Sequence, residues 1–323
     1  MTEPLVTIAC ATYNQEKYIA QTIEGFLLQK TTFKVEIIIH DDASIDDTAK
    51  IIREYQKKDA RIKAIFQKEN QHSRGVKPFV DILSQKAEGK YIAICEGDDY
   101  WTDPDKLQKQ VDFLEANPDY GMVHTNHAIY SEHEHKFLKR NFDAPVYNDN
   151  PTFEDILLKN PVSTLTVLAK TSLIHKVISD FPENNTWKMG DFPMWLGIAH
   201  YSKIKYLPDN TAVYRVLKNS LSNQQDFSKK LAMFNSVFEV KTWYMKKYGC
   251  SQVVRKNVEI DYHREKLKLA FVFSEPQTAL MAKQELLKTK AFNFLDALFV
   301  FGSKNTLSRL MVKVYLKLFI SLK

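Results

Sequence analysis

Three carboxylates crowd into four residues at Glu96-Gly97-Asp98-Asp99, between the apolar run 91–95 and the aromatic pair Tyr100-Trp101. Such a run predicts a buried strand. Carboxylates at that spacing repel one another unless a cation or the donors of a ligand sit between them. The C-terminal edge of a parallel sheet is also where open α/β folds take their ligands. The same residues read equally as an acidic turn, with Asp103 capping the helix that follows. Two further acidic sites stand at element boundaries: Asp41-Asp42 follows the run 35–40, and Gly190-Asp191 opens a helical stretch. Turn chemistry accounts for Asp41-Asp42, and helix capping accounts for Asp191, as readily as chemistry does.

To bring these side chains to one edge, the chain needs parallel strands joined by helices, and its first hundred residues alternate in that way. Residues 6–11 are apolar and β-rich and close on Thr12-Tyr13-Asn14; Ile19, Ile23, Phe26 and Leu27 then recur at helical spacing. Residues 35–40 make a second strand. Ile51, Ile52 and Tyr55 form the buried stripe of a helix that Asp46 or Asp47 can cap, with Ser44 also structural. A third strand at 61–66, a loop at 67–75, a helix carrying Phe79, Val80, Ile82 and Leu83, and a fourth strand at 91–96 complete the pattern. Repeated strand-then-helix units imply right-handed crossovers and a mainly parallel sheet. Beyond them the pattern predicts a helix over 107–116, a strand over 121–130, a polar loop over 131–150 and a helix over 153–158. An extended piece at 164–169, a helix running to 199, and strands at 203–207 and 212–216 follow. From about residue 227 only helical patterning remains. A boundary is therefore expected in the Ser-, Asn- and Gln-rich stretch 219–226, dividing the chain into 1–222 and 223–323.

Composition narrows the class. The 323 residues suit one large or two unequal domains, and 44% hydrophobic content marks a globular chain. Three cysteines without paired spacing suit a reducing compartment, and Cys10 and Cys95 fall in strands where a small apolar residue is wanted. No Cys/His zinc pattern occurs, and His124 to His135 lack metal-ligand spacing. No Gly-x-Gly-x-x-Gly or Walker-type loop follows a strand, which excludes the usual dinucleotide and nucleoside-triphosphate cradles. Met1-Thr2-Glu3-Pro4 has neither a basic segment nor an apolar core, so no secretory signal is expected and a cytoplasmic location is. The net charge of +6 is modest, and no nucleic-acid partner is expected.

Four stretches now acquire meaning together: Ala11-Thr12-Tyr13-Asn14, residues 41–48, Glu96-Gly97-Asp98-Asp99-Tyr100-Trp101 and Gly190-Asp191. In this order, at strand ends and a helix start, they resemble the inverting family 2 glycosyltransferases of the GT-A fold over roughly residues 4–222. Within that family the chain looks most like bacterial enzymes that build capsular or lipopolysaccharide chains. The resemblance implies an α/β GT-A domain with a mainly parallel central sheet flanked by helices, and a helical C-terminal extension. It implies that Asp98 and Asp99 hold Mg²⁺ or Mn²⁺ against the diphosphate of a nucleotide-sugar donor, since a hard cation takes oxygen ligands. Glu96 stands where aspartate is more usual, and its longer side chain is within reach of the ribose or the metal. Asp42 is implied to accept a hydrogen bond from the base, which a uracil N–H suits. Ala11, Thr12 and Tyr13 are implied to line base and ribose, although Tyr13 reads equally as a core aromatic. Asp191 is implied to be the general base that takes the proton of the acceptor hydroxyl. Trp187 and Trp195 are candidates to stack on an acceptor sugar, with packing the expected job of at least one. Leu217 stands where the family often carries a histidine, which leaves Arg215 or Lys218 as substitute phosphate contacts; His72 and Arg74 are others, and they read more readily as solvated loop residues.

The C-terminal third reads from pattern alone. Between Lys283 and Lys323 there are eight Lys or Arg and two acids, Glu285 and Asp296. On a helix over 306–322, Arg309, Lys313 and Lys317 form an i, i+4 stripe beside Leu307, Leu310, Met311, Val314 and Leu318. Lysines interrupt the apolar run, which argues against a membrane span. Attachment to the inner face of an anionic membrane, packing against the catalytic domain and packing against a second subunit all fit. The expectation is therefore a metal-dependent, inverting transferase that moves a sugar from a nucleoside diphosphate sugar, a uridine one, to a lipid-linked or growing bacterial surface glycan. The alternatives are a sugar nucleotidyltransferase and a non-catalytic sugar-nucleotide scaffold.

Overall fold

A computed structural model describes residues 5–138, 148–183, 185–217 and 226–319. The chain divides into two compact units, residues 1–185 with 189–220 and residues 186–188 with 221–323. The expected linker at 219–225 and the boundary at 222/223 lie outside the described residues, as does Lys218.

In the first unit β1 (Val6–Thr12), α1 (Ile19–Leu27), β2 (Val35–Asp41), α2 (Thr48–Lys58) and β3 (Ile62–Phe66) follow the expected alternation. A π-helical segment Pro78–Leu83 runs into the short α3 (Ser84–Lys86), and β4 (Tyr91–Ile94) and β5 (Tyr100–Trp101) flank the acidic turn. After them come α4 (Lys106–Ala116), β6 (Tyr120–Ser131), β7 (Lys136–Leu138), α5 (Phe153–Leu158), β8 (Leu168–Lys170), α6 (Thr171–Ser179), α7 (Asp191–Tyr201) and β9 (Lys203–Val216). The sheet order is β3-β2-β1-β4-β8-β6-β9-β5, with β7 on β6. Strands β3, β2, β1 and β4 are parallel, as crossover helices require. Beyond β4 the sheet is mixed, with β8 antiparallel to both neighbours and β6 parallel to β9.

The core explains the strands. Val6, Ile8 and Cys10, Ile37 and Ile39, and Tyr91, Ala93 and Cys95 alternate onto one sheet face. Ile19, Ile23 and Phe26 of α1 and Leu107, Val111 and Leu114 of α4 cover that face. Cys10 and Cys95 are free, buried thiols, and burial pushes both well up from their usual range. Gly25 lets α1 close on β5: a Cβ there would lie 2.9 Å from the Trp101 main-chain nitrogen.

Three expectations change. The piece 164–169 is a 3₁₀ turn, Thr164–Thr166, followed by short β8, and an unexpected helix, α6, which buries Ile174 and Val177, comes straight after. The start of the presumed loop 131–150 is a hairpin in which Phe137 packs edge-on against Tyr130; residues 139–147 lie outside the described part. The two strands at 203–207 and 212–216 are one, β9, whose pairing with β6 skips from Leu207 to Asn210. Pro208 has no N–H for a ladder, so the strand passes over it with an irregularity rather than ending.

The second unit is helical: α8 (Phe227–Tyr248), α9 (Gln252–Phe273), α10 (Pro276–Lys288), α11 (Phe294–Gly302) and α12 (Thr306–Phe319). Ile260, Leu267, Ala270, Ala279, Ala282 and Leu286 form its core. Side-chain caps start α8, α9 and α11 at Asp226, Ser251 and Asn293, each accepting the amide three residues on. Trp187 belongs to this unit and is buried edge-on against Trp243.

Candidate active site

The strand order places the site. The chain runs outward from β1 through β2 to β3, then returns to put β4 on the other side of β1. Helices on either side of such a reversal leave a crevice at the carboxyl ends of the two central strands. Thr12-Tyr13 and Glu96-Gly97-Asp98-Asp99 are the residues that end β1 and β4, and Asp41-Asp42 ends β2 alongside.

The loops after β1 and β2 are tied to each other. The Asn14 amide donates to Ser44 Oγ (2.9 Å) and the Ile45 amide to Asn14 Oδ1 (2.9 Å). The Gln15 amide donates to Thr48 Oγ1 (2.8 Å), the Glu16 amide to Asp46 Oδ2 (3.1 Å) and the Asp47 amide to Glu16 Oε2 (3.0 Å). Asn14 and Ala43 both sit in the left-handed region, at φ 52° and 62°, a conformation that costs a residue with a Cβ roughly 1–2 kcal/mol. Asp41 is buried and binds Ser44 through its hydroxyl and amide. Asp42, also buried, accepts the amides of Gln71 (2.7 Å) and His72 (3.0 Å) and so draws the loop after β3 to the same edge. Each carboxylate oxygen keeps a lone pair for a further donor. Tyr13 is exposed beside them and is not a core residue.

The turn after β4 is built differently. Gly97 packs so tightly on β1 that a Cβ would lie 2.7 Å from Thr12 Oγ1 and 2.5 Å from Gln15 Oε1. Its amide donates to Ala11 O (3.0 Å), and Thr22 Oγ1 donates to the carbonyls of Gly97 (2.9 Å) and Asp99 (2.6 Å). Burial and the charge of Asp98 push the Glu96 carboxyl up to about 8, with Asp191 adding to the repulsion. Burial raises Asp98, against the pull of Arg215 and a hydrogen bond from Gln15. Burial, then Asp98 and Glu96, hold Asp99 well above the carboxylate range. Three carboxyls that each resist ionisation are poorly served by the protein's own donors.

Arg215, at the end of β9, braces this turn. Its amide donates to Asp99 Oδ1 (2.8 Å), and its guanidinium donates to the Asp98 carbonyl (2.5 Å) and to Gln21. Its Nε lies 3.1 Å from Glu132, and the group stacks over Tyr100 at 4.4 Å. A guanidinium so engaged is a structural brace, which corrects its reading as a phosphate contact. Arg74 is exposed and ion-paired with Glu69.

Asp191 is the first residue of α7, with Gly190 at the cap position. Its carboxylate accepts main-chain amides of that first turn and, at 3.4 Å, the Thr164 hydroxyl; burial raises it. Its charge is felt at Glu96, so it faces the acidic turn. Trp195 and Trp187 are both buried and pack, so neither is offered to a sugar.

Glu96, Asp98, Asp99 and Asp191 thus converge on one edge, with Tyr13 and Asp42 beside the neighbouring strands. Gln15, Thr22 and Thr164, and the bracing role of Arg215, escape a sequence reading because nothing local marks them; each is a partner only once distant strands are neighbours. Among the described residues no three protein ligands form a metal cage. The donor set does fit a hard divalent cation that takes one or two carboxylates and completes its shell with phosphate oxygens. Asp98, and the Asp99 oxygen that Arg215 does not occupy, would be the donors, and a cation would offset the burial that raises all three carboxyls and the repulsion that adds to it at Glu96 and Asp99.

The family described as glycosyl transferase family 2 matches residues 7–180. An uncharacterized protein of Mycobacterium tuberculosis is 36% identical over 214 residues, 65% of this chain and 58% of its own length. The chain thus spans less than two thirds of that relative. The Escherichia coli UDP-Glc:α-D-GlcNAc-diphosphoundecaprenol β-1,3-glucosyltransferase WfaP is 40% identical over 113 residues, 35% of this chain and 42% of WfaP. Among solved structures, Staphylococcus aureus TarS 1-349 with UDP-GlcNAc matches at TM-score 0.66 and 16% identity, covering 97% of this chain and 91% of TarS. The mannosyltransferase PcManGT of Pyrobaculum calidifontis, with GDP-Man and Mn²⁺, matches at TM-score 0.57 and 17% identity, covering 99% of this chain and 88% of that one. At such identities the likeness establishes the fold, which is GT-A with a helical C-terminal region.

Proposed function

The chain belongs to glycosyl transferase family 2, and from that premise we propose that it transfers a sugar from a uridine diphosphate sugar to a lipid-linked glycan with inversion at the anomeric carbon. The convergence of Glu96, Asp98 and Asp99 with Asp191 at the β1/β4 crevice is the observation that carries this reading. WfaP supports the donor and the acceptor class by its name, and the UDP-GlcNAc complex of TarS supports the nucleotide.

Asp98, with Asp99, would hold a Mg²⁺ or Mn²⁺ ion, as the metal in PcManGT suggests. Such an ion would supply charge neutralisation for a departing nucleoside diphosphate. Arg215 and Thr22 fix the main chain of the turn, so the two carboxylates need no rearrangement to meet the phosphates. Asp42 accepts the uracil N–H with a remaining lone pair, and Tyr13, Thr12 and Ala11 border base and ribose. Asp191 takes the acceptor proton as the hydroxyl attacks, and inversion requires only that one base. Burial makes Asp191 a stronger base than a solvated aspartate, which suits it to a proton that leaves late.

Product analysis tests the reading. Incubation with UDP-sugars, Mn²⁺ and a diphosphate-lipid acceptor should release UDP, and the NMR coupling of the new linkage should show the anomeric configuration opposite to the donor's. Release of pyrophosphate, or retained configuration, refutes it.

A further inference from the structure

The general base proposed for this reaction is held by more than its own helix. Phe192, Pro193, Met194, Trp195 and Leu196 of α7 are buried, which fixes the backbone at Asp191. Its carboxylate still has two torsions, and the second is broad for an aspartate. The Thr164 hydroxyl, which donates to Asp191 Oδ2 at 3.4 Å, selects among those orientations. That distance is long for such a bond, as contacts to a catalytic group commonly are before substrate arrives. Thr164 and Asp191 are both half-buried, so the pair can be reached from solvent. A β-branched residue has few χ1 states, so the direction of the hydroxyl is set by the backbone of the turn Thr164–Thr166.

That turn is clamped from two other elements. The Trp101 indole, two residues past Asp99, donates from Nε1 to the Leu165 carbonyl at 2.8 Å within the core. The Gln110 side chain on α4 donates from Nε2 to the Thr166 carbonyl, also at 2.8 Å. Lys106 Nζ donates to Gln110 Oε1 at 2.8 Å, and since an ammonium only donates, the amide nitrogen is left facing the turn. Within the turn, Thr166 Oγ1 donates to the Ser163 carbonyl (2.7 Å) and the Val167 amide to the Thr164 carbonyl (3.1 Å). Each carbonyl from 163 to 166 is thus held, and Leu165 and Thr166 are buried. Through Trp101 the clamp is tied to the acidic turn, so one buried bond and one adjoining residue link the carboxylates after β4 to the base. Displacement at a sugar carbon needs donor and base in register, and a misplacement of about 1 Å costs on the order of 10²-fold. We propose that Thr164 is a positioning residue that orients the Asp191 carboxylate, and that Trp101 and Gln110, by clamping the turn 163–166, set the place of that carboxylate relative to the acidic turn. This role presupposes Asp191 as the base.

Thr164→Val removes the hydroxyl and keeps the shape, whereas Thr164→Ser keeps the hydroxyl. In an assay of UDP release from UDP-glucose with Mn²⁺ and a diphosphate-lipid acceptor, Thr164→Val should lower kcat roughly 10–100-fold, and Thr164→Ser should stay within about threefold of the parent. Affinity for UDP with Mn²⁺, by titration calorimetry, should be unchanged in both. In the Asp191→Asn background Thr164→Val should add no further loss, because the hydroxyl acts through that carboxylate. Crystal structures of the unliganded variants give a readout free of turnover: the Asp191 carboxylate should be turned from its place in Thr164→Val and in Trp101→Phe, and unmoved in Thr164→Ser. A carboxylate still in place in Thr164→Val overturns the proposal. Undiminished kcat in that variant, while Asp191→Asn has lost activity, also overturns it and leaves the base standing. A full further loss in the Asn background, or Ser no better than Val, overturns the route through the carboxylate. Normal kcat in Asp191→Asn removes the base itself, and the role of Thr164 falls with it.

Discussion

Two acidic turns stand at the same edge of the sheet and are built on opposite principles. Asp41 and Asp42, after β2, are buried but surrounded by donors: the amides of Ser44, Gln71 and His72 and the Ser44 hydroxyl reach them. Burial pushes Glu96, Asp98 and Asp99, after β4, toward their protonated forms, and repulsion within the group adds to it at Glu96 and Asp99. The main chain of the second turn is held as firmly as that of the first; only its carboxylates are left wanting. A buried acid satisfied by amides organises loops, whereas buried acids fixed in place but unsatisfied are a site for positive charge. The same composition thus yields a keystone in one turn and a receptor in the other.

The sharpest way to break this contrast is Asp98→Ala. It should remove metal-dependent turnover, a loss of about 10³-fold or more given the several kcal/mol a bound cation supplies, while the thermal midpoint of the metal-free protein holds or rises. Turnover assays with and without chelator, paired with calorimetry, check both halves; full activity in the variant would make the second turn an ordinary loop.

Asp191→Asn comes next, because Asp191 faces the second turn without belonging to it. It should lower kcat by about 10²–10⁴-fold and leave nucleotide affinity nearly unchanged. Steady-state kinetics with calorimetric titration separates the roles: weakened nucleotide binding would move Asp191 into the metal site, and normal kcat would reduce it to a residue of the helix start.

For the first turn, Asp42→Ala should weaken uridine diphosphate binding by about 1.5–3 kcal/mol, the range for a hydrogen bond to a charged group. It should also lower stability, since the Gln71 and His72 amides lose their acceptor. Titration calorimetry and thermal denaturation of the same variant read the two effects. Equal nucleotide affinity with reduced stability would make Asp42 a keystone only.

The smallest effect concerns the floor beneath the second turn. Lys106 is fully buried, with Nζ 4.2 Å from the Trp101 ring centroid and donating to Gln110 Oε1 at 2.8 Å. Burial pulls it down from 10.5 to about 7. Between those values the unfolded chain binds more protons at this residue than the folded one, so its contribution to stability rises with pH from about 7 to 10.5. Lys106→Met should flatten that slope in denaturation curves taken across the window. An unchanged slope would show that water reaches the floor, and that the second turn is less dry than its raised carboxyls imply.

Much of the first hundred residues could be read before any coordinates, because buried parallel strands are near-continuous apolar runs and their loops are short and polar. The four motif stretches sit on the edge assigned to them for the same reason: strand ends are visible in a sequence. What escaped depends on strands far apart in the chain. Gly97 looks like any turn glycine until Thr12 and Gln15 are placed against it. Arg215 looks like a free cation until β9 returns beside β5. Helix α6 and the β6–β7 hairpin are short, and their local signal is weaker than the packing that stabilises them.

The five bonds between the loops after β1 and β2 carry a consequence for motion. Each of the two loops carries one strained residue, Asn14 in the first and Ala43 in the second, and the lacing holds both in place. Neither loop can lift alone, so the pair shares one opening free energy and behaves as a single cooperative patch. On this side the crevice is therefore a fixed wall, and any closure over a ligand has to come from elsewhere in the molecule.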